Sequence, residues 1–205
     1  MQKFKEEILN LENYEETQKI IQKIGKYPII ITSVHSMNQT KDREVVKLSE
    51  YLTKTITKYI ANKTDISYLI KTKDDGIDPN HTETEEFKTK LLELIQKHNI
   101  KLVLDIHGAS EQRNFNVELG TLNNLSADYS TINELKESFI EQGIKEIEIN
   151  TPFKGGKITQ YLYMSSDVEV IQIEINKRYR DINNLENTKL LIDSIINFIN
   201  KYKFM

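Results

Sequence analysis

Apolar residues along the chain follow two periods, and together they predict alternating strands and helices. Short runs of apolar residues predict strands. The predicted strands are 28–34, 66–71, 101–106, 113–119, 145–149 and 168–175. Apolar residues three or four positions apart predict amphipathic helices. The predicted helices are 4–24, 45–62, 84–98, 131–142 and 184–203. Strands separated by helices favour an α/β fold with a mostly parallel, mixed and twisted sheet flanked by helices.

The length and the uninterrupted pattern predict a single domain. The chain has 205 residues, which suits one hydrophobic core. No repeat, linker or low-complexity segment divides it. We therefore expect residues 1–205 to form one domain, with residues 1–25 as an N-terminal helix that packs on it and stops at Gly25.

Composition excludes several kinds of site and partner. The chain has no cysteine, which excludes disulfides, a thiolate nucleophile and zinc sites with Cys ligands. A formal net charge of −3 gives no sign of a nucleic-acid or membrane surface. The N-terminus lacks an apolar signal segment, and no apolar run is long enough to cross a bilayer. We expect a cytoplasmic protein with a small-molecule substrate, in an oligomeric state that the sequence leaves open.

Polar residues follow the predicted strands at one end. His35 comes directly after the first strand, the segment 78–81 lies in the loop after the second, and Asp105 and His107 end the third. Glu174 lies on the polar face of the strand at 168–175. Because sites in open α/β sheets form beyond the carboxyl ends of the strands, we expect these side chains to meet at one edge.

Such a set suits a catalytic metal. A catalytic zinc takes three ligands from His and carboxylate and leaves one position for a water, which it activates. His35 and His107 are candidate ligands, and Glu174 is a candidate general base. Each also has an ordinary alternative: a His at a strand end is more often a satisfied polar residue, and Glu174 can be solvated or paired with a neighbouring cation. Gly108, after His107, can serve a turn that needs a positive φ.

Four segments resemble N-formylglutamate amidohydrolases. They are Ile-Thr-Ser-Val-His-Ser at 31–36, Leu-Asp-Ile-His-Gly-Ala at 104–109, Gly-Gly-Lys-Ile-Thr-Gln-Tyr at 155–161 and Ile-Gln-Ile-Glu-Ile-Asn-Lys-Arg-Tyr at 171–179. The last two in tandem are the most specific. The resemblance implies a fold similar to that of zinc carboxypeptidases and aspartoacylases, with one zinc held by His, Glu and His and a late Glu as general base.

Carried over by position, the resemblance makes His35 the first ligand, His107 the last and Glu174 the base. Asn38 stands where carboxypeptidases and aspartoacylases have their ligand Glu. Glu50, in the helix predicted at 45–62, is then the expected middle ligand. Glu44 and Asp42 are its alternatives.

The loop after the second strand resembles that of aspartoacylases. Lys73 takes the position of a cation on the oxyanion side, and Asn80 and His81 take substrate-binding positions. His81 stands in place of an Arg that would bind a free carboxylate bidentately. Other candidate substrate-binding residues are Arg113, Thr159 and Arg178, with Arg180 as a further candidate cation.

The resemblance leads to one leading hypothesis and two alternatives. The first is a zinc-dependent amidohydrolase, one catalytic domain at 1–205, that cleaves the linear amide of a small N-acyl (N-formyl) amino acid. The second is a zinc peptidase or amidase that acts on a peptide or cell-wall fragment. The third is a non-catalytic binding module, which Asn38 and His81 favour. One zinc per chain is expected, with manganese, iron or cobalt as alternatives.

Overall fold

The computed structural model describes residues 1–41, 44–80, 82 and 86–203. The strands within this part are β1 (Ile20–Lys23), β2 (Tyr27–Ser33), β3 (Gln39–Lys41), β4 (Glu44–Lys47), β5 (Ile66–Lys71), β6 (Leu102–Ala109), β7 (Val117–Gly120), β8 (Ile147–Ile149) and β9 (Glu169–Asn176). The α-helices are α1 (Gln2–Glu12), α2 (Thr53–Thr64), α3 (Glu86–His98), α4 (Tyr129–Glu141), α5 (Lys157–Ser165) and α6 (Leu185–Tyr202). A 3-10 helix spans Lys177–Tyr179.

Within the described residues, seven strands form one sheet in the order β1-β5-β2-β6-β9-β7-β8. The central strands β5, β2, β6 and β9 are parallel to one another. At the edges, β1 is antiparallel to β5, and β7 is antiparallel to β9. The expected α/β fold with a mostly parallel, mixed sheet is therefore confirmed.

Helices cover both faces of the sheet, so its central strands are buried on both sides. Ile29 and Ile31 of β2 pack with α1, α2, α4 and α6, whereas Ile30 between them packs with α3 and α5. In β6, Leu104 likewise packs with the first group of helices and Val103 with the second. Alternate residues of a strand face opposite sides. A continuous apolar run is therefore what a strand buried on both faces requires.

The N-terminal segment differs from the helix expected at 4–24. Helix α1 ends at Glu12, because residues 13–19 offer no apolar residue except the exposed Tyr14 to continue its buried face. Ile20 and Ile21 instead form the edge strand β1 against β5. Gly25 is not a helix stop. It lets the backbone pass Ile66, where a Cβ would lie 2.3 Å from the carbonyl carbon.

The helix expected at 45–62 is also shorter than predicted. Residues 44–47 form strand β4, which pairs with β3, and α2 begins only at Thr53. Leu52 has a φ of 64° while its side chain is buried in the core. Its left-handed backbone interrupts any helix that continues from residue 45. Glu50, expected on a helix, therefore lies in the connection that precedes α2.

Among the described residues, no helix is both long enough and apolar enough to cross a membrane.

Candidate active site

The three expected metal ligands lie together at the carboxyl ends of the central strands. His35 lies two residues beyond β2, His107 lies near the end of the adjacent parallel strand β6, and Glu50 approaches from the connection before α2. One potential ligand atom from each lies within 4.8 Å of the other two. Both imidazoles are almost fully buried, at 2% exposure for His35 and 1% for His107. These three side chains form a group that can hold a metal ion.

Two carboxylates, the buried Asp105 and the partly buried Asp78, orient the imidazoles. The Nε2–H of His107 donates to Asp105 Oδ2 at 2.9 Å, and Asp105 Oδ1 accepts the hydroxyl of Thr32 at 2.7 Å. The Nε2–H of His35 donates to Asp78 Oδ1 at 2.8 Å. A carboxylate only accepts, so each of these Nε2 atoms carries a proton, and Nδ1 is the nitrogen that each ring can offer to a metal ion. Carboxylate–histidine pairs of this kind orient the ligands of metal sites.

The two Nδ1 atoms face each other, and their geometry fits a cation. They lie 3.1 Å apart, and two lone pairs at that distance repel each other unless a proton or a metal ion lies between them. Glu50 Oε1 is 2.8 Å from Nδ1 of His35, and Glu50 Oε2 is 3.5 Å from Nδ1 of His107. Oε2 also accepts the N–H of Gly108 at 2.8 Å. Two nitrogens and a carboxylate oxygen match the ligands of a catalytic zinc site.

The charges around this group have strong mutual effects. Burial disfavours the ionised carboxylate of Glu50, but the two imidazoles outweigh it and hold its pKa well below the usual value. Burial also disfavours the charged ring of His107, but Asp105 and Glu50 outweigh it and raise its pKa well above the usual value. The same negative field that attracts a proton to His107 attracts a metal cation to the group.

Glu174 lies beside the ligands on the neighbouring strand. In the register of β6 and β9 it pairs with His107, and it is 6% exposed. Its Oε1 accepts the side-chain N–H of Gln172 at 2.7 Å. Burial is the main cause that raises its pKa. A carboxyl group with a raised pKa next to residues that can hold a metal is suited to take and return a proton.

The three expected ligands and the expected base line a cavity of about 360 Å³ together with one glycine-rich loop. The lining residues are His35, Lys47, Glu50, Asn80, His107, Gly108, Pro152, Phe153, Lys154, Gly155, Gly156, Gln172 and Glu174. The N–H of Gly156 donates to Gln172 Oε1 at 2.5 Å. A Cβ on Gly156 would lie 2.0 Å from Asn80 Oδ1, so the glycine permits Asn80 to enter the wall.

The structure places the remaining predicted residues at different distances from the cavity. Asn80 lines the cavity, and Oδ1 accepts the N–H of Ile158 at 3.3 Å. Thr159 is fully buried in the first turn of α5, and its hydroxyl finds no hydrogen-bond partner among the described residues. His81 and the alternative ligand Asp42 lie outside the described residues, and the side chain of Glu44 does as well.

The predicted cation Lys73 does not reach the cavity. Its Nζ donates to the carbonyl of Thr17 at 2.7 Å, beside a separate cavity formed with residues 12–16. The strand β1, which the sequence pattern did not predict, brings the preceding segment within reach of Lys73. Lys73 therefore does not occupy the place at the site that the resemblance assigned to it.

The predicted arginines also lie outside the cavity wall. The guanidinium of Arg113 stacks on the ring of Phe153 at 4.9 Å, behind a residue that lines the cavity. Arg178 donates to Asn176 Oδ1 and to the carbonyl of Glu111. Both side chains are exposed, because they follow the ends of strands where the chain returns to the surface.

Lys47 and Glu118 lie in or beside the site and were not predicted. Lys47 Nζ lies 2.9 Å from His35 Nδ1 and 3.3 Å from Glu50 Oε1, and its position three residues before Glu50 was the available signal. Glu118 of β7 pairs with Glu174 across the strands and is fully buried. A charged residue within the alternating pattern of a predicted strand was the signal for Glu118.

Comparison with known protein families finds a match to part of the chain. The sequence model of the N-formylglutamate amidohydrolase family matches residues 84–179. The resemblance to N-formylglutamate amidohydrolases is confirmed. The match contains His107 and Glu174, whereas His35 and Glu50 precede it. The family match supports a hydrolase that acts on amide bonds. No sequence among the curated proteins matches the chain.

Solved structures share the fold at low sequence identity. An N-formylglutamate amidohydrolase from Ralstonia eutropha is 12% identical with a TM-score of 0.67, over 89% of this chain and 97% of that one. A gene product from Agrobacterium tumefaciens is 11% identical with a TM-score of 0.70, over 95% and 97%. A bacteriophage poly-gamma-glutamate hydrolase is 14% identical with a TM-score of 0.60, over 92% of each chain. At these identities the likeness concerns the fold.

Proposed function

We propose that this chain is a zinc-dependent amidohydrolase that cleaves the linear amide of a small N-acyl amino acid, such as an N-formyl amino acid. The observation that carries the proposal is the pair of carboxylate-backed imidazoles, His35 and His107, whose Nδ1 atoms meet Glu50 in the wall of a cavity that also contains Glu174. The family match supports the amide as substrate. We also propose that residues 1–205 act as one catalytic domain.

His35, Glu50 and His107 would hold the metal. A bound zinc supplies an activated water nucleophile and polarises the carbonyl of the amide. Zinc fits because two imidazole nitrogens and one carboxylate leave a further position open. Asp105 and Asp78 hold the two rings in the tautomer that a metal requires.

Glu174 would move the proton. Its carboxylate takes the proton that the attacking water releases, and it passes that proton to the amide nitrogen as the C–N bond breaks. The acid and the amine then leave, and the carboxylate is regenerated. The side chain of Gln172 donates to one oxygen of Glu174 and accepts the N–H of Gly156. It therefore links the base to the glycine-rich loop that lines the cavity.

Lys47 would supply positive charge next to the amide, in place of Lys73. Its ammonium is in hydrogen-bonding distance of His35 and lines the same cavity. A cation there stabilises the negative charge that develops on the carbonyl oxygen. Pockets of about 300–1,000 Å³ suit small ligands, and the cavity of about 360 Å³ is at the small end of that range.

A second candidate is an amidase that acts on a peptide-like polymer. The likeness to the poly-gamma-glutamate hydrolase, over 92% of each chain, favours it. It would use the same residues, and it differs in how far the substrate extends beyond the cavity. A panel that contains N-formyl and N-acetyl amino acids together with γ-linked glutamyl oligomers distinguishes the two.

The test is metal content by elemental analysis, together with hydrolysis of that panel. We expect about one zinc per chain in the wild type and loss of the metal in His35→Ala and Glu50→Ala. His98→Ala and Glu93→Ala are matched controls, since both residues belong to α3 and lie away from the cavity. Zinc without hydrolysis of any amide would favour the non-catalytic binding module. No zinc after supplementation would overturn the metal site.

A further inference from the structure

A buried arginine connects three of the four chain segments that carry the site. Arg180 follows the 3-10 helix and is 4% exposed. Its Nε–H donates to the carbonyl of Ile175 at 2.9 Å, Nη1 donates to Tyr51 at 2.5 Å, and Nη2 donates to Ala109 at 3.0 Å. One planar guanidinium therefore reaches three carbonyls that lie far apart in the sequence.

Each of these carbonyls is adjacent to a residue of the site. Tyr51 directly follows Glu50, and Ile175 directly follows Glu174. Ala109 lies two residues after His107 at the end of β6. Three hydrogen bonds from one rigid fork therefore tie the connection that carries Glu50 to the ends of β6 and β9.

Gly108 leaves the space that the guanidinium occupies. A Cβ on Gly108 would lie 2.4 Å from Cζ of Arg180, so no side chain is possible there without movement. The φ of Gly108 is outside the left-handed region, so the expectation of a positive-φ turn at this residue is wrong. Its N–H donates to Glu50 Oε2 at 2.8 Å. The same residue thus contacts the arginine and orients a ligand.

The charge of Arg180 also suits this position. Burial lowers the pKa of the guanidinium, and the carboxylates of Glu50 and Glu174 oppose that effect. Because the group stays protonated in proteins, it brings a permanent positive charge close to both carboxylates. It does not line the cavity, so it acts on the site through the residues that it holds.

We propose that Arg180 is a positioning residue, which holds Glu50, His107 and Glu174 in register by binding the backbone beside each of them. Its effect on metal binding rests on the proposed function, whereas its effect on the backbone does not. The proposal therefore predicts a change in zinc affinity and, separately, a change in backbone protection that does not need a metal.

The first measurement is zinc binding by calorimetry to the full chain freed of metal. We expect Arg180→Met to weaken binding by about 10-fold to 100-fold, the usual effect of losing an outer partner of a metal ligand. Arg180→Lys keeps the charge but reaches fewer carbonyls, so it should restore only part of the affinity. Arg178→Met is the matched control, since that arginine is exposed and contacts other groups.

The second measurement is amide hydrogen exchange of the metal-free protein. In Arg180→Met the N–H of Gly108 should exchange about tenfold faster or more, because its acceptor Glu50 is no longer held, while the N–H of Leu104 in the centre of β6 is unchanged. A Gly108→Ala substitution should then cost less zinc affinity in the Arg180→Met background than in the wild type, since the clash is relieved.

The outcomes separate the two proposals. If the wild type binds zinc and Arg180→Met binds it equally well, with Gly108 exchange unchanged, the positioning role is overturned and the metal site stands. If the wild type binds no zinc but Gly108 exchange accelerates in the variant, the positioning role stands and the metal site falls. Full recovery by Arg180→Lys would overturn the requirement for a three-way fork.

Discussion

His35 and His107 owe their candidate role to their neighbours. An imidazole at the end of a strand is an ordinary polar residue until its tautomer is held. Here Asp78 and Asp105 each hold one Nε2–H, and Thr32 holds Asp105 in turn. At the scale of single residues, the site is a pair of imidazoles whose orientation is determined by a carboxylate at each Nε2.

The role of Glu174 is tested by removing its negative charge and keeping its shape. Glu174→Gln should retain the fold and the metal and lose hydrolysis by about 10²-fold to 10⁴-fold, because an amide cannot take the proton from water. Turnover of the best substrate, with metal content measured beside it, checks this. Glu137→Gln in the exposed face of α4 is the control. Near-normal turnover of the Glu174 variant would exclude it as the base.

Glu118 should make the stability of the protein depend on pH. Burial raises the pKa of its carboxyl from 4.5 to about 7; the N–H of Phe153 opposes this rise and Glu174 adds to it. Between these pH values the folded protein keeps a proton that the unfolded chain has released. The contribution of Glu118 is therefore fully present below about pH 4.5 and is lost as the pH rises through about 7.

Urea unfolding at several pH values measures this effect. The free energy of unfolding of the wild type should fall more steeply between pH 5 and pH 8 than that of Glu118→Gln, which keeps an acceptor for the N–H of Phe153 but cannot ionise. Equal slopes in the two proteins would mean that Glu118 ionises at an ordinary pH.

At the scale of elements, loops rather than strands complete the site. The parallel strands β2 and β6 bring His35 and His107 to one edge, while Glu50 arrives from the connection before α2. The loop between β8 and α5 closes the cavity and contacts Asn80 from the loop after β5. Close approach of these two loops depends on Gly156, where a side chain would collide with Asn80.

Gly156→Ala should therefore destabilise the protein and disturb the cavity. We expect a loss of about 1–3 kcal/mol in the free energy of unfolding, the range for overpacking. In an Asn80→Ala background the same substitution should cost less, because the colliding amide is absent. Denaturant unfolding of the two single variants and the double variant measures the coupling. Additive effects would show that the collision with Asn80 is not the cause.

At the scale of the whole molecule, the site joins distant parts of the chain. The three proposed ligands come from after β2, from before α2 and from β6, and the proposed base comes from β9. A metal held by these ligands binds only the folded arrangement, so binding opposes unfolding. Helices α1, α2, α4 and α6 on one face and α3 and α5 on the other hold the strands that carry the ligands.

Zinc should raise the melting temperature of the metal-free protein. Free zinc at about 100 times its Kd stabilises the folded state by about 2.7 kcal/mol. His35→Ala should show no such increase, and His98→Ala should show the full increase. Thermal unfolding with added zinc, and again after addition of a chelator, measures both. An equal increase in His35→Ala would place the bound zinc elsewhere.

The sequence by itself determined the class of fold and the chemistry available to the site. Apolar runs such as 28–34 are imposed by burial on both faces, which is a local property that each strand carries alone. Without cysteine, His35 and His107 were among few possible ligands, and their positions after strands predicted that they meet. Glu174 was visible as the polar position in an apolar strand.

Only the tertiary structure decided which charged residues lie at the cavity. Lys73 follows a predicted strand and Lys47 lies in a predicted helix, and the edge strand β1 and the pair of strands β3 and β4 determine which of them lines the cavity. Arg180 and Arg178 are two residues apart, yet one is buried against Gly108 and the other is exposed. Such choices depend on contacts between segments distant in sequence, and a periodic pattern within one segment contains no information about them.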